Sequence, residues 1–272
     1  MLSNDEILLS SNLMIYRQND DDYVEFSGFI EQIKATRLDE YLPAMLIGES
    51  TNQWIKRGFK SGLLQDIKLN MVKNISQDLP IKVNLVAHLT DSELVFNSDW
   101  QALQNLDANI STNGKSINVF VNSTTLYDLP LKQITLAIPD MSQSKLDVSM
   151  VGKINTDSES LTAFLAKAPS GSTVKDVIKQ FTLKGPLTGD LDLIIPLDNR
   201  ASTLDIDLSI KDNQLTTLDG SVVVENYNSI IAFHDDNITT SGVGKIRNMP
   251  FDIRINPNNR NDDKEASFAV EL

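Results

Sequence analysis

Apolar residues return at every second position in one segment of this chain after another, and that spacing constrains the fold more than any other feature. Between Ile81 and Leu89 the apolar side chains of Ile81, Val83, Leu85, Ala87 and Leu89 share one face, while Lys82, Asn84 and His88 supply the other. Successive side chains of an extended strand point to opposite faces, so such a run is a β-strand with one apolar and one polar side. The form returns at Ile117, Val119, Val121; at Ile134, Leu136, Ile138; at Leu146, Val148, Met150; and at Leu191, Leu193, Ile195. Leu204 to Ile210, Phe251 to Ile255 and Phe268 to Leu272 continue it. Asn, Asp, Gly and Pro bound these runs, as turn residues do. The chain is expected to be mainly β and antiparallel.

Helical spacing is confined to three short stretches. Glu49 to Phe59, within an expected helix near 49–60, has Ser50 or Thr51 to cap it and Gly62 past its end. Asp157 or Ser158 caps a helix over 158–167 that carries Leu161, Phe164 and Leu165 and stops at Pro169. A third, over 172–181, carries Val174, Val177, Ile178 and Phe181 and ends at Gly185-Pro186. Sub-units at 1–105 and 106–272 are expected. An internal similarity pairs Leu106-Asp107 with Leu218-Asp219, and Leu129-Pro130-Leu131 with Met249-Pro250-Phe251. The offset drifts from 112 to 120 residues between these two pairs. That drift leaves open whether they are repeated β-units or two amphipathic hairpins that are alike by chance.

Apolar residues make up 41% of the 272 and charged residues 22%, which places the chain among folding proteins and away from disordered ones. A formal charge of −13 repels phosphate backbones, so nucleic acid is excluded as a partner. The absence of cysteine removes disulfides, thiolate nucleophiles and zinc–thiolate sites. Apolar stretches such as Ala44-Met45-Leu46-Ile47 fall far short of the roughly 18 residues of a membrane span. The start, Met1 to Glu6, lacks the basic and apolar regions of a signal peptide, so an exported protein of this sequence is expected to be an internal fragment of a longer one.

No constellation for catalysis, metal or cofactor emerges. His88 and His234 lie in separate elements, and a Ser-His-Asp arrangement needs one of them beside a serine and oriented by a carboxylate. Asn19-Asp20-Asp21-Asp22 lacks the Gly and Glu of a calcium loop and reads as a hairpin turn. Gly242-Val243-Gly244 lies between strands and opens no helix, so it is no phosphate cradle. Trp54 and Tyr41 read as anchors that seat a helix on the sheet, and Trp100, after Ser98-Asp99, as a hairpin anchor.

The order of several motifs resembles the AsmA-like superfamily, in particular its YhdP-type branch from Gram-negative bacteria. Tyr41-Leu42-Pro43 precedes a helix with Trp54 that ends near Gly62. Then follow Asp91 to Phe96 with Asp99-Trp100, the Leu106 to Val119 hairpin, and the strand end Ala137-Ile138-Pro139-Asp140. Phe164 to Pro169, Gly185 and Ile195-Pro196-Leu197 complete the series, which covers roughly residues 38 to 260. Leu79-Pro80-Ile81 departs from the aromatic-Pro-aromatic strand start expected there.

The resemblance implies an extended, twisted antiparallel sheet curled into a groove, AsmA/TamB-like, with a few short helices. It implies a periplasmic protein anchored in the inner membrane by a segment outside this sequence. Phospholipid acyl chains are the implied ligand, outer-membrane or periplasmic proteins the further partners, and no catalysis or cofactor is implied. The lining of such a groove is then Val83, Leu85, Val119, Val121, Leu146, Val148, Met150, Leu193, Ile206 and Leu208. The alternation by itself is equally met by the closed core of a sandwich or barrel, in which apolar faces touch only each other. A β module for envelope assembly with a closed core and no ligand is therefore the alternative.

Overall fold

The computed structural model describes residues 2–4, 7–41, 49–169, 175–176, 178–198, 200–234, 237–255 and 269–271. The protein is mainly β. Its strands are β1 (Leu2–Asn4), β2 (Ile7–Gln18), β3 (Asp21–Lys34), β4 (Phe59–Asn74), β5 (Lys82–Leu94), β6 (Leu103–Thr112), β7 (Ile117–Leu126) and β8 (Leu129–Ile138). They continue with β9 (Asp147–Asp157), β10 (Phe181–Lys184), β11 (Pro186–Pro196), β12 (Thr203–Thr217), β13 (Val223–His234), β14 (Asn237–Ile246), β15 (Met249–Ile255) and β16 (Ala269–Glu271). Hydrogen bonding follows chain order from β1 to β16, with β10 and β11 both pairing β12, and the order does not close on itself. Helices α1 (Leu38–Tyr41), α2 (Glu49–Gly58) and α3 (Ser158–Lys167) interrupt it. Lys175, Asp176 and Ile178 are helical, but the helix expected over 172–181 stops short: Lys179-Gln180 form a turn and Phe181, expected on its apolar face, opens β10. Residues 172–174 and 177 lie outside the described residues, as do Leu42 and Pro43.

The chain forms two compact units. The first comprises Met1–Thr125, Gln133–Ser149 and Pro196–Arg200, and the second Leu126–Lys132, Met150–Ile195 and Ala201–Leu272.

All non-glycine residues with positive φ among the described residues fall into two groups. Asn19-Asp20, Tyr127-Asp128 and Arg247-Asn248 are the central pairs of two-residue hairpin turns, whose mirror-image backbone matches the twist of the flanking strands. The others, Asp66, Asp91, Asn105, Gln133, Asp212 and Asn226, lie inside strands. Around Asp66, Asp91, Asn105, Asp212 and Asn226 the pairing register slips, which marks β-bulges. A bulge adds one residue, so two side chains three positions apart land on the same face. Leu64 and Ile67, Leu89 and Ser92, Leu103 and Leu106, Leu131 and Ile134, Ile210 and Asn213, and Val224 and Tyr227 are each buried as such pairs. Asp and Asn tolerate the left-handed conformation better than other side chains. The recurring element is therefore a buried residue, a polar pair ending in a left-handed one, and a second buried residue.

These landmarks also resolve the internal similarity. Leu38 corresponds to Leu161 and Gly62 to Gly185 at an offset of 123; Asp91 corresponds to Asp212 and Asn105 to Asn226 at 121; Tyr127-Asp128 corresponds to Arg247-Asn248 at 120. The strands β4 to β8 thus have their counterparts in β10/β11 to β15. Pairing Leu106 with Leu218 is overturned: its counterpart is Tyr227, since both follow a left-handed Asn inside a strand and both are buried.

Each unit packs a buried polar side chain, Ser92 or Asn213, closely against its glycine bend. In the first, Gly62 has φ +114° and a Cβ there would meet Ser92 Oγ at 1.7 Å. In the second, Gly185 has φ +129°, and its carbonyl accepts from both the backbone N–H (3.0 Å) and the hydroxyl (2.9 Å) of Ser158. Asn213 Nδ2 donates to Ser158 Oγ at 3.1 Å, so the start of α3 is tied to the bend. Asp157 caps α3, accepting from the Ser160 amide at 2.8 Å.

The turn at Asp219 shows how local hydrogen bonds shape acidity. Thr217 Oγ1, the Ser221 amide and Ser221 Oγ donate to its carboxylate at 2.6, 3.1 and 2.8 Å and hold its pKa at about 2 against an ordinary 3.8. The folded pKa is depressed, so its contribution to stability is complete above the ordinary value and is lost as pH falls toward about 2. An NMR titration of this carboxyl is expected to show a midpoint near 2, and Ser221→Ala with Thr217→Val should move it up toward 3.8.

Candidate functional site

An extended apolar face lies in the first unit and follows from strand register. Leu13 of β2 pairs with Phe26 of β3, Phe26 with Met71 of β4, and Met71 with Val83 of β5. One step along, Gly28, Leu69, Leu85, Thr112 and Ile117 align; the next row is Ile30, Ile67, then Ala87, Ile110 and Val119. These residues share one face of six neighbouring strands, β2 to β7. At a spacing of about 4.8 Å per strand the face runs for about 24 Å across the strands.

Burial divides this face. Toward α1 and α2 it is closed: Ile33, Leu64, Ile67, Ala87, Leu89, Leu106, Ala108 and Val121 are buried. Toward the turn at Asn19-Asp20 it is open: Val24, Phe26, Leu69, Met71, Val83, Leu85, Ile110 and Val119 are half-buried, and Leu13 and Ile15 are 63% and 72% exposed. The opposite face is polar along its middle, where Asn70 Nδ2 donates to Glu25 (2.8 Å) and to Ser27 (3.3 Å).

Of the ten residues expected to line a groove, Val83, Leu85 and Val119 lie on the open part, and Leu146 and Val148 are half-buried elsewhere in the first unit. Val121, Met150, Leu193, Ile206 and Leu208 are sealed, at 3% exposure or less. In the second unit Leu191, Ile206, Phe233 and Ile238 follow one another across β11 to β14 and are all buried. Gly242 and Gly244 sit on that face beneath Tyr227 and Val224, whose atoms a Cβ would meet at 2.7 and 2.4 Å. They allow close packing under an aromatic ring.

Leu13, Ile15, Phe26, Leu69 and Met71 were missed by sequence reasoning because β2 and β3 mix the apolar residues of both faces. The signal was available in Leu69-Asn70-Met71 facing Phe26-Ser27-Gly28.

The aromatic motif residues cluster at the end of α2. Trp54 Nε1 donates to the Phe96 carbonyl at 3.1 Å, the Phe96 and Trp100 rings lie 5.9 Å apart, and the Val95 amide donates to the Gly58 carbonyl at 2.8 Å. Trp100 is buried. Tyr41, half-buried, carries the Arg37 guanidinium 5.6 Å above its ring.

Both histidines lie beside carboxylates: His88 Nε2 is 3.2 Å from Asp107, and His234 Nδ1 is 3.2 Å from Asp205 with Nε2 3.5 Å from Asp207. Asn122 Nδ2, and then His88, hold the Asp107 carboxyl below its ordinary range. Among the described residues no hydroxyl is hydrogen-bonded to either imidazole, and no group of three or more His, Asp and Glu is placed to hold a metal. No helix of the described residues is long and apolar enough to cross a membrane.

Fold and face together define an antiparallel β-sheet protein whose first unit presents an apolar surface, half open toward one end and buried toward the other. The chain matches the YhdP protein family over residues 2–271 and belongs to it. It is 21% identical over 202 residues to the "Intermembrane phospholipid transporter YhdP" of Escherichia coli (strain K12), a stretch that covers 72% of this chain and 16% of that protein. The chain therefore spans a minor part of that relative's length. No solved structure matches the chain significantly.

Proposed function

We propose that this chain is a segment of a periplasm-spanning protein that carries phospholipid between the inner and outer membranes, with acyl chains lying along the open apolar face of β2 to β7. The observation that carries this reading is the half-exposed apolar strip across six strands, backed by membership in the YhdP family and by similarity to the Escherichia coli intermembrane phospholipid transporter. The mechanism is passive. Each methylene withdrawn from water is worth about 0.8 kcal/mol, so a strip of Leu, Ile, Val, Phe and Met lowers the free energy of a tail outside a bilayer. The strip serves as one stretch of a groove, while the sealed residues serve as core, Val121 in the first unit and Met150, Leu193, Ile206 and Leu208 in the second. Anchorage in the inner membrane falls to another part of the full-length protein, and the chain performs no catalysis.

Native mass spectrometry with lipid extraction tests this. The purified chain is expected to retain phospholipid. Leu85→Asp with Val119→Asp should reduce retention at least tenfold, because loss of contact with two methylenes already exceeds the 1.4 kcal/mol that a factor of ten requires. Asn84→Asp, on the polar face, should retain it. A lipid-free protein that also takes up no labelled phospholipid, or a folded double variant that binds as before, would favour a scaffold with a closed core.

A further inference from the structure

A second candidate site lies in the first unit, away from the apolar strip. It is a cavity of about 270 Å³ between α2 and the segments 95–98 and 196–198, with Trp54, Phe96 and Leu197 among its apolar walls and Arg57, Asn97 and Asp198 among its polar ones. Small-molecule sites run from about 300 Å³ upward, so this one suits a headgroup-sized ligand rather than a whole lipid.

Its electrostatics favour an anion. Arg57 is held by its Nε, which donates to the Gln53 carbonyl at 3.2 Å, and among the described residues it makes no ion pair. Asp198, the carboxylate of the lining, accepts from Arg200 Nε at 2.8 and 2.9 Å and from the Arg200 amide at 3.0 Å. Those bonds, the backbone one foremost, hold its pKa down and occupy both oxygens with the Arg200 guanidinium, which Asp147 shares at 2.7 Å. Asn97 Oδ1 accepts from the Asp99 amide at 2.8 Å, which commits the acceptor end of that carboxamide and leaves its NH₂ as the donor. The lining thus offers a guanidinium that makes no ion pair among the described residues and an amide donor beside aromatic walls, on a protein of net charge −13. Trp54 is fixed by its own bond to Phe96 and serves as a wall, not as a donor.

We propose that this cavity binds a phosphate ester, with the phosphate on Arg57 and Asn97 and its apolar substituent against Trp54 and Phe96. A guanidinium matches phosphate oxygens in a two-pronged geometry that an ammonium lacks. The phosphate can belong to a phospholipid headgroup or to a soluble phosphate ester.

Trp54 is the reporter. Titration of the whole chain with glycerol 3-phosphate is expected to change its fluorescence saturably, and glycerol is expected to have no effect. Arg57→Gln should weaken the response at least tenfold, Arg57→Lys should restore part of it, and Lys56→Gln, which removes an adjacent exposed cation, should leave it intact. Tighter binding of short-chain phosphatidylglycerol than of glycerol 3-phosphate assigns the site to lipid headgroups; equal binding of both assigns it to soluble phosphate. No saturable response, an Arg57→Gln variant that binds as before, or an equal loss in Lys56→Gln overturns the proposal. The Leu85→Asp, Val119→Asp protein should respond normally, which separates the failure of this site from the failure of the strip.

Discussion

Gly62→Ala is expected to be among the most damaging single-methyl additions in this protein, lowering the stability of the first unit by about 3 kcal/mol or more. Two costs combine. A φ of +114° is a conformation side-chain-bearing residues rarely adopt, which costs about 1–3 kcal/mol by itself. The new Cβ would also lie 1.7 Å from Ser92 Oγ and 2.7 Å from Ser92 Cα, the latter a backbone atom that a rotamer change leaves in place. Ser92 is 1% exposed, so its side chain has little room to retreat. Urea denaturation of Gly62→Ala, Ser92→Gly and the double variant separates the two costs. The double variant should recover the side-chain clash and keep the φ penalty, giving a coupling energy of about 1 kcal/mol or more. Additive effects of the two changes would show that the close approach is absent in solution.

Ile206→Asp is expected to unfold the second unit, whereas Val83→Asp should leave the first folded. Ile206 is fully buried, and its neighbours along the register are Leu191 and Phe233, so a carboxylate there finds no donor. Truncating such a residue to Ala costs about 2–5 kcal/mol, and an unpaired buried charge adds to that against a total stability of only about 5–15 kcal/mol. Val83 occupies the same kind of position in the alternating pattern but is half-exposed, so an aspartate there reaches water. Circular dichroism and thermal melts distinguish the two. Equal loss of structure in both variants would mean that the strip is covered in solution and is core, which would remove the basis of the lipid reading.

That pair also marks the limit of what was legible in the sequence. Alternation identifies Val83 and Ile206 equally well as apolar-face residues, because the period of a strand reports which side a residue faces and nothing about what covers that side. Cover is set by contacts far apart in the chain, such as those of α2, where Trp54 meets Phe96. The helix over 158–167 was legible for a local reason: Asp157 caps it and Leu161, Phe164 and Leu165 form its buried side. The internal repeat was only half legible. Its hairpin Leu129-Pro130-Leu131 aligns with Met249-Pro250-Phe251, but Leu106 was matched to Leu218 because a strict two-residue period breaks wherever a bulge inserts a residue. The polar pairs ending in Asp or Asn between two apolar residues, as in Leu103-Gln104-Asn105-Leu106, are the signature that restores the register. The histidine–carboxylate pairs escaped notice because each joins neighbouring strands across 19 to 29 residues.

The bulges at Asp66, Asp91 and Asn105 fall on three consecutive strands of the first unit, and their positions relative to burial have a mechanical consequence. Bulges sharpen local twist and interrupt the regular ladder, so three side by side act as a crease. Beyond it lie Leu94 and Leu103, packed and sealed; on the other side the apolar face is sealed next to the bulges, at Ile67, Ala87 and Leu89, and half open farther away, at Leu69, Met71, Val83 and Leu85. Movement at the half-open margin would leave the sealed residues beside the bulges packed, so the part of the face proposed to hold acyl chains and the part that keeps the unit folded are mechanically distinct.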